Sequence, residues 1–287
     1  MWGKWLLRLL VLAFCTVMAV LLCFLLVRGL PALGTDLFFG NVPPLDAMLG
    51  RKGVWDGIWP ACTGTFCLVC LTVGIAIFPG VGCGIYLAEY APPRLASAIR
   101  CVMDVLAGTP SIVMGLFGFT LILFLRHTLW PDANTSLLLA SACLALLILP
   151  VLVAATCEAL LAVPPRLRLT AQALGFSRAT MLRHILLPTA MPGIRSGIIL
   201  ALGRAAEDTA VIMLTGVVAN AGLPAGLNAK FEALPFFIYY TAAQYQDEAE
   251  LLRGFGASLV LLVLSSGLLL VANMLERRFR KHWQGAV

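Results

Sequence analysis

Six stretches of this chain are apolar for about twenty residues or more, the length needed to cross a hydrocarbon core about 30 Å thick. They run from about Trp5 to Val27, Gly57 to Ile85, Met103 to Leu125, Ser136 to Cys157, Gly193 to Val218 and Phe255 to Leu275. Pro79-Gly80 is expected to break the second. In lipid only helices and closed barrels satisfy every backbone group, and continuous apolar runs lack the alternation of a barrel strand. The expected fold is therefore all-α integral membrane, with six transmembrane helices. Hydrophobic residues make up 61% of the chain and charged residues 12%, which excludes a water-soluble enzyme, a disordered chain and a secreted disulfide scaffold. The first run is longer than the apolar part of a signal peptide, so it is expected to stay as an anchor.

Orientation follows from the basic residues, which collect in cytoplasmic loops. With the N-terminus inside, the inner side holds Lys4, Arg8, Arg94, Arg100, Arg166, Arg168, Arg178, Arg183, Arg195 and the tail Arg277, Arg278, Arg280 and Lys281. The outer side holds Arg28, Arg51, Lys52, Arg126, Lys230 and Arg253. Both termini are thus expected to be cytoplasmic. The net charge of +6 reflects this bias, and no nucleic-acid motif accompanies it. The outer acidic run Asp247, Glu248 and Glu250 reads as a solvated surface. Residues 1–54 read as an anchor span with an outer loop, and 55–287 as the main transmembrane domain, with a long inner loop at 158–192.

That loop is patterned. Pro164-Pro165 can open a helix. Leu167, Ala171 and Leu174 share one face of it. Gly175 interrupts it, Ser177 can cap a second short helix carrying Met181, Leu182 and Ile185, and this helix is expected to end before Pro188. Such an amphipathic pair either lies on the lipid surface or docks into a groove on a soluble partner.

The fifth apolar run carries Gly203-Arg204-Ala-Ala-Glu207-Asp208-Thr209. A charge at the centre of a span costs about 2.5–3.5 kcal/mol, so three together need a cavity, a partner or a task. Arg204 and Asp208, four residues apart in a helix, would face each other. The pair is either self-neutralising or part of a pathway in which an anion replaces Asp208 at the guanidinium fork. Gly108-Thr109-Pro110-Ser111 is expected to bend or break the third run, and Asp104 to cap it or to pair with Arg100. Cys67-x-x-Cys70 lies in an apolar helix with no second pair and no nearby His, so its cysteines read as small core hydrophobes. His127, His184 and His282 are scattered. No metal and no cofactor are expected. No phosphate-cradling Gly-rich loop with Lys-Ser/Thr is present, and no nucleophile or carboxylate dyad, so the chain is expected to be non-catalytic.

Gly175, Ile185 and Leu187-Pro188 match the spacing of the loop motif of binding-protein-dependent ABC importer permeases, which this chain resembles. In that family the loop is a coupling helix that enters a cleft of the ATPase. Its leading Glu falls at Leu169 here. Asp104-Val-Leu-Ala-Gly-Thr-Pro-Ser-Ile-Val-Met-Gly-Leu-Phe-Gly-Phe119, Glu158-Ala-Leu-x-x-Val-Pro, Leu200-Ala-Leu-Gly-Arg204 and Thr209-Ala210 are similar to the PstA family of phosphate importer permeases. The resemblance covers roughly residues 55 to 280. It implies the type I importer permease fold and the import of phosphate, or of another oxyanion or phosphonate. It places Arg204 and Asp208 on the family's Arg and Glu of the solute path, with Glu207 in place of a Gly. Ala154 stands where the family often has a further Arg. The implied substrate-path residues are Arg204, Glu207, Asp208 and Thr209. The implied coupling residues are Ala171, Leu174, Gly175, Met181, Ile185 and Pro188. The implied partners are a second homologous permease subunit, two ATPase subunits, a periplasmic solute-binding protein and the lipid bilayer. A self-sufficient secondary transporter and a membrane scaffold are the weaker readings.

Overall fold

Backbone groups in lipid must find partners within their own segment, and the apolar runs do fold as helices in the computed structural model. It describes residues 2–128, 131 and 134–284, with side chains described over 4–128, 131 and 134–274. The α-helices in chain order are α1 (Trp2–Gly29), α2 (Thr35–Phe39), α3 (Pro44–Met48), α4 (Trp59–Glu89), α5 (Pro93–Gly108), α6 (Ser111–Thr128), α7 (Leu137–Leu161), α8 (Pro165–Ala173), α9 (Arg178–Met181), α10 (Leu187–Glu207), α11 (Ala210–Thr215), α12 (Leu234–Gln244) and α13 (Glu248–Gln284). Among the described residues, six helical runs are long and apolar enough to cross a membrane: Lys4–Ala32, Trp59–Glu89, Ser111–Thr128, Leu137–Leu161, Arg178–Glu207 and Glu248–Met274. The side chains of the basic tail at 277–281 lie outside the described residues.

α7 is the centre of the bundle. Its most apolar window is 61% buried, against 0–33% for the other spans. Lipid and helix interior are equally apolar, so spans associate by close packing of small residues rather than by the hydrophobic effect. α4 runs parallel to α7, with Gly80 against Leu152 and Gly84 against Thr156. α10 runs antiparallel on another face, with Gly193 against Ala159 and Gly197 against Ala155. Each contact repeats every four residues, the spacing that keeps it on one face. α1 meets the rest of the chain through α13, where Gly29 abuts Leu259 and Phe24 meets Phe255 edge-on at 5.7 Å.

Several boundaries differ from the sequence reading. Pro79 does not break the second span. α4 continues to Glu89, because Gly80 seats the helix on Leu152 and that packing holds it through the lost hydrogen bond. The third run is broken outright. α5 stops at Gly108, Thr109 is extended (φ −73°, ψ 125°), and α6 starts at Ser111. Thr109 Oγ1 donates to the Val105 carbonyl at 2.7 Å, capping a carbonyl that the break exposes. The helix after Ser177 does not end before Pro188. It widens its hydrogen-bond register into a π turn at Leu182–Leu186, where the Leu187 N–H bonds the Leu182 carbonyl, and passes into α10. The π turn absorbs the donor that Pro188 lacks, so one run extends from Arg178 to Glu207.

The acidic run after α12 has a local task. Asp247 Oδ1 accepts the Glu250 N–H at 2.7 Å, and Glu250 Oε2 accepts the Gln246 N–H at 3.0 Å. These bonds satisfy orphan donors at the start of α13. At the same end of the bundle, the 216–233 segment folds back over α4 and α7. Leu137 and Leu138 donate to the Ala229 and Leu227 carbonyls, and Thr65 Oγ1 accepts the Leu234 N–H at 2.8 Å.

Glu232 is buried in that segment and accepts the Gly222 N–H at 2.8 Å. Burial pushes its carboxyl above the ordinary range, against the pull of the Gly222 and Ala221 N–H groups. A carboxyl raised in the native state binds its proton more tightly there than in the unfolded chain. Its stabilisation is therefore full below the unfolded carboxylate pKa of about 4.3 and is lost as pH rises through the raised native value. Glu232→Gln keeps the acceptor and removes the charge. The protection factors of the 217–233 amides, with the intrinsic pH dependence of exchange divided out, are expected to fall as pH rises through this window in the native chain and to stay flat in the variant.

Candidate functional site

The charged stretch of the fifth span sits at a break in the helix. α10 ends at Glu207, Asp208 is extended (φ −74°, ψ 124°), and α11 restarts at Ala210 for six residues. Asp208 does not face Arg204. Its Oδ1 accepts the Val211 N–H at 2.9 Å, the bond of a helix N-cap, and its charge sits at the positive end of the α11 dipole. The expected i, i+4 pair fails because the four residues do not share one helix. Asp208 and Thr209 are half-buried, whereas Arg204 and Glu207 are exposed. Among the described residues, the ion pair shown joins Arg168 and Glu89, and Arg204 takes no part in it.

The two broken spans meet. On α6, Gly115 packs against the backbone of α11, where an added Cβ would lie 2.9 Å from the Ala210 carbonyl and 3.2 Å from Val211 Cα. One turn further, Gly118 faces Thr215 and Cys143. Gly115 stands four residues past Ser111, so the breaks at 109–110 and 208–209 lie within about 6–10 Å of each other along the bundle. Interrupted spans leave backbone donors and acceptors free at membrane depth, which is tolerated where they line a cavity or a binding site.

A separate cavity of about 480 Å³ opens between α5 and α7. Arg100 and Asp104 on α5, and Ala154 and Glu158 on α7, line it with Met103 and Leu87. Arg100 and Asp104 are both exposed to this space rather than joined as an ion pair, among the described residues.

At the end of the bundle that carries Glu89, α8 and α9 form the turn foreseen in the loop. Gly175 has φ +76°, the left-handed geometry that closes a helix. Phe176 N–H reaches back to the Ala171 carbonyl at 3.0 Å, and Ser177 Oγ accepts the Thr180 N–H at 3.2 Å to start α9. The left-handed position has open space around it, so Gly175→Ala meets no clash and only the backbone penalty of about 1–2 kcal/mol. A fall of a few degrees in melting temperature, with the protein still assembled, is the expected result by thermal melting in detergent.

The six loop residues separate into two groups. Ala171 and Met181 are buried with Leu160, Val163, Leu186, Ala190 and Ile194, and Ile185 and Pro188 are half-buried beside them. These hold the turn to its own bundle. Leu174 is 68% exposed and Gly175 is exposed beside it, as are Leu169 and Phe176 on the same turn. The single face expected from Leu167, Ala171 and Leu174 is thus divided, with Ala171 inward and Leu174 outward.

One contact here was not foreseen. Arg168 on α8 places Nη1 2.7 Å and 2.9 Å from the two carboxylate oxygens of Glu89, and Nη2 donates to the Leu160 carbonyl at 2.8 Å. An acid on the last residue of α4 opposes the helix dipole, and that local conflict was the available signal.

Residues 80–281 match the family of binding-protein-dependent transport system inner membrane components. The chain is similar to the phosphate transport system permease protein PstA of Haemophilus influenzae, 33% identical over 261 residues that cover 90% of this chain and 85% of the relative. It is 35% identical to PstA 1 of Mycobacterium tuberculosis over 221 residues, 77% of this chain and 70% of that one. It is 32% identical to PstA of Xylella fastidiosa over 192 residues, 67% of this chain but 63% of the relative's length. Among solved structures, the inward-facing MetNI methionine ABC transporter superposes with a TM-score of 0.58 at 18% identity, covering 83% of this chain and 99% of that one. A bacterial alginate ABC importer does so with 0.57 at 14%, covering 93% and 95%. These likenesses give the fold, that of a type I ABC importer permease. With its six apolar spans and the match across residues 80–281, this chain is a multi-pass inner-membrane protein and belongs to the binding-protein-dependent transport system inner membrane components.

Proposed function

We propose that the chain is the transmembrane permease subunit of an ATP-driven importer of inorganic phosphate. The observation that carries this reading is Arg204: an exposed guanidinium with no ion-pair partner among the described residues, one turn before a break in a span, in a chain whose relatives are named phosphate permeases. A guanidinium fork fits two phosphate oxygens. Asp208, engaged with the start of α11, leaves that fork open. Glu207 and Thr209 border the same break and complete the proposed path. Their roles are to exclude a second anion and to offer a hydroxyl.

The importer would pair this chain with a second homologous permease and two ATPase subunits, fed by a periplasmic solute-binding protein. ATP hydrolysis belongs to the ATPase. Both termini and the α8–α9 turn face the cytoplasm, where the basic residues gather. Residues 1–54 act as an anchor and outer loop, and 55–287 as the translocating domain. Leu174 and the turn at Gly175 enter the ATPase, while Ala171, Met181, Ile185 and Pro188 transmit its movement to α10. Transport then requires that ATP closure bind one arrangement of the spans more tightly than the other.

The test is uptake of labelled phosphate by vesicles holding the complete importer, with sulfate, arsenate and a phosphonate as competitors. Labelled phosphate uptake that excess sulfate does not reduce supports the reading. Saturable uptake of sulfate or a phosphonate in its place overturns the solute. A photo-crosslinker at Leu174 is expected to capture the ATPase, and its failure to do so overturns the coupling role.

A further inference from the structure

The element that meets the motor must be stiffly joined to the spans it moves, and α8 by itself is poorly anchored. It has nine residues, well short of the length of about 12–15 at which an isolated helix begins to hold, and it buries Ala171 as its inward apolar side chain. Arg168 lies three residues before Ala171 and so shares that inward face. Its guanidinium spans three helices at once: both oxygens of Glu89 at the end of α4, and the carbonyl of Leu160 in the last turn of α7. The Glu89 side chain is 10% exposed and that of Arg168 24%, so the pair is shielded from screening by salt more than a surface pair would be. α4 runs unbroken for 31 residues, about 46 Å, to the opposite end. There Gly64 abuts the Glu232 carbonyl and Thr65 holds the Leu234 N–H, which ties α4 to the 216–233 segment.

We infer that the Arg168–Glu89 pair is the joint through which displacement of α8 is passed to α4, and along α4 to the far face of the bundle. The inference rests on the reading of α8 as the ATPase-docking element. Arg168 and Glu89 are positioning residues, and neither touches the solute. Removing the Glu89 charge leaves α8 docked to the ATPase but loosely tied to α4, so hydrolysis continues while the spans follow it less faithfully.

The experiment uses the complete importer in liposomes and measures phosphate uptake and ATP hydrolysis together. For Glu89→Gln, uptake per ATP hydrolysed is expected to fall about tenfold, within the usual range of coupling between distant sites, with the complex still assembled. Arg168→Lys keeps the charge pair but cannot also reach Leu160, and an intermediate loss is expected. The double exchange Glu89→Arg with Arg168→Glu is expected to restore part of the coupling. A ratio within twofold of the native importer in Glu89→Gln overturns the inference. So does a parallel fall in uptake, hydrolysis and assembled complex in both single variants, which would mark the pair as only structural. Failure of the underlying reading looks different, because the Leu174 crosslink to the ATPase is then absent in the native chain.

Discussion

Replacing Arg204 by Ala is expected to reduce phosphate uptake by at least about thirtyfold while the assembled importer is still recovered from membranes. A charge-assisted hydrogen bond contributes about 1.5–3 kcal/mol, and loss of roughly 2 kcal/mol at the rate-determining barrier corresponds to that factor. The side chain is exposed, and no ion pair to it is lost among the described residues, so the fold has little reason to respond. Arg204→Lys separates charge from geometry. An ammonium keeps the point charge and loses the planar fork, so partial uptake is expected. Basal ATP hydrolysis in the absence of solute should be unchanged in both variants. Uptake at native rates in Arg204→Ala would remove this residue from the path.

The second large effect is on packing. An added Cβ at Gly84 would lie 2.5 Å from Thr156 Cβ and 2.9 Å from the Val153 carbonyl. Thr156 is itself buried, and the carbonyl belongs to the α7 backbone, so neither can swing aside. Gly84→Leu must then push α4 off the central helix of the bundle. Overpacking of a tight core costs about 1–3 kcal/mol, and a backbone clash puts this variant at the upper end, against a total stability of about 5–15 kcal/mol. The expected outcome is a large fall in folded protein recovered from membranes and a lower melting temperature in detergent. Gly82, on the same turn of α4, has open space around it, and Gly82→Leu is expected to be tolerated. Equal loss in both variants would show that side-chain bulk anywhere on this stretch of α4, rather than the α4–α7 contact, decides the result, because Leu is the better helix former at both positions.

The loop and the spans were largely legible. Ser177 and Gly175 announce a cap and a left-handed turn through their own chemistry, and the structure places both where that chemistry requires. Pro110 announces a break that α5 and α6 respect. Pro79 and Pro188 announce breaks that do not occur, because packing on α7 and a π turn supply what each proline removes. The break at Asp208 was missed. Gly203 to Glu207 reads as helix, and the weaker signal, an Asp three residues before the N–H it accepts, was read as a helical charge pair instead. Glu89 and Arg168 lie 79 residues apart, and nothing local to either names the other.

The apolar runs by themselves determined that this protein is a helical membrane bundle, because in lipid each segment must satisfy its own backbone and so its structure is a local matter. The tertiary structure alone decided which of the loop residues face inward, that Asp208 serves α11 rather than Arg204, and that Arg168 reaches Glu89. Those outcomes depend on how closely distant helices approach, which small residues such as Gly84, Gly115 and Gly197 permit only once the whole bundle is packed.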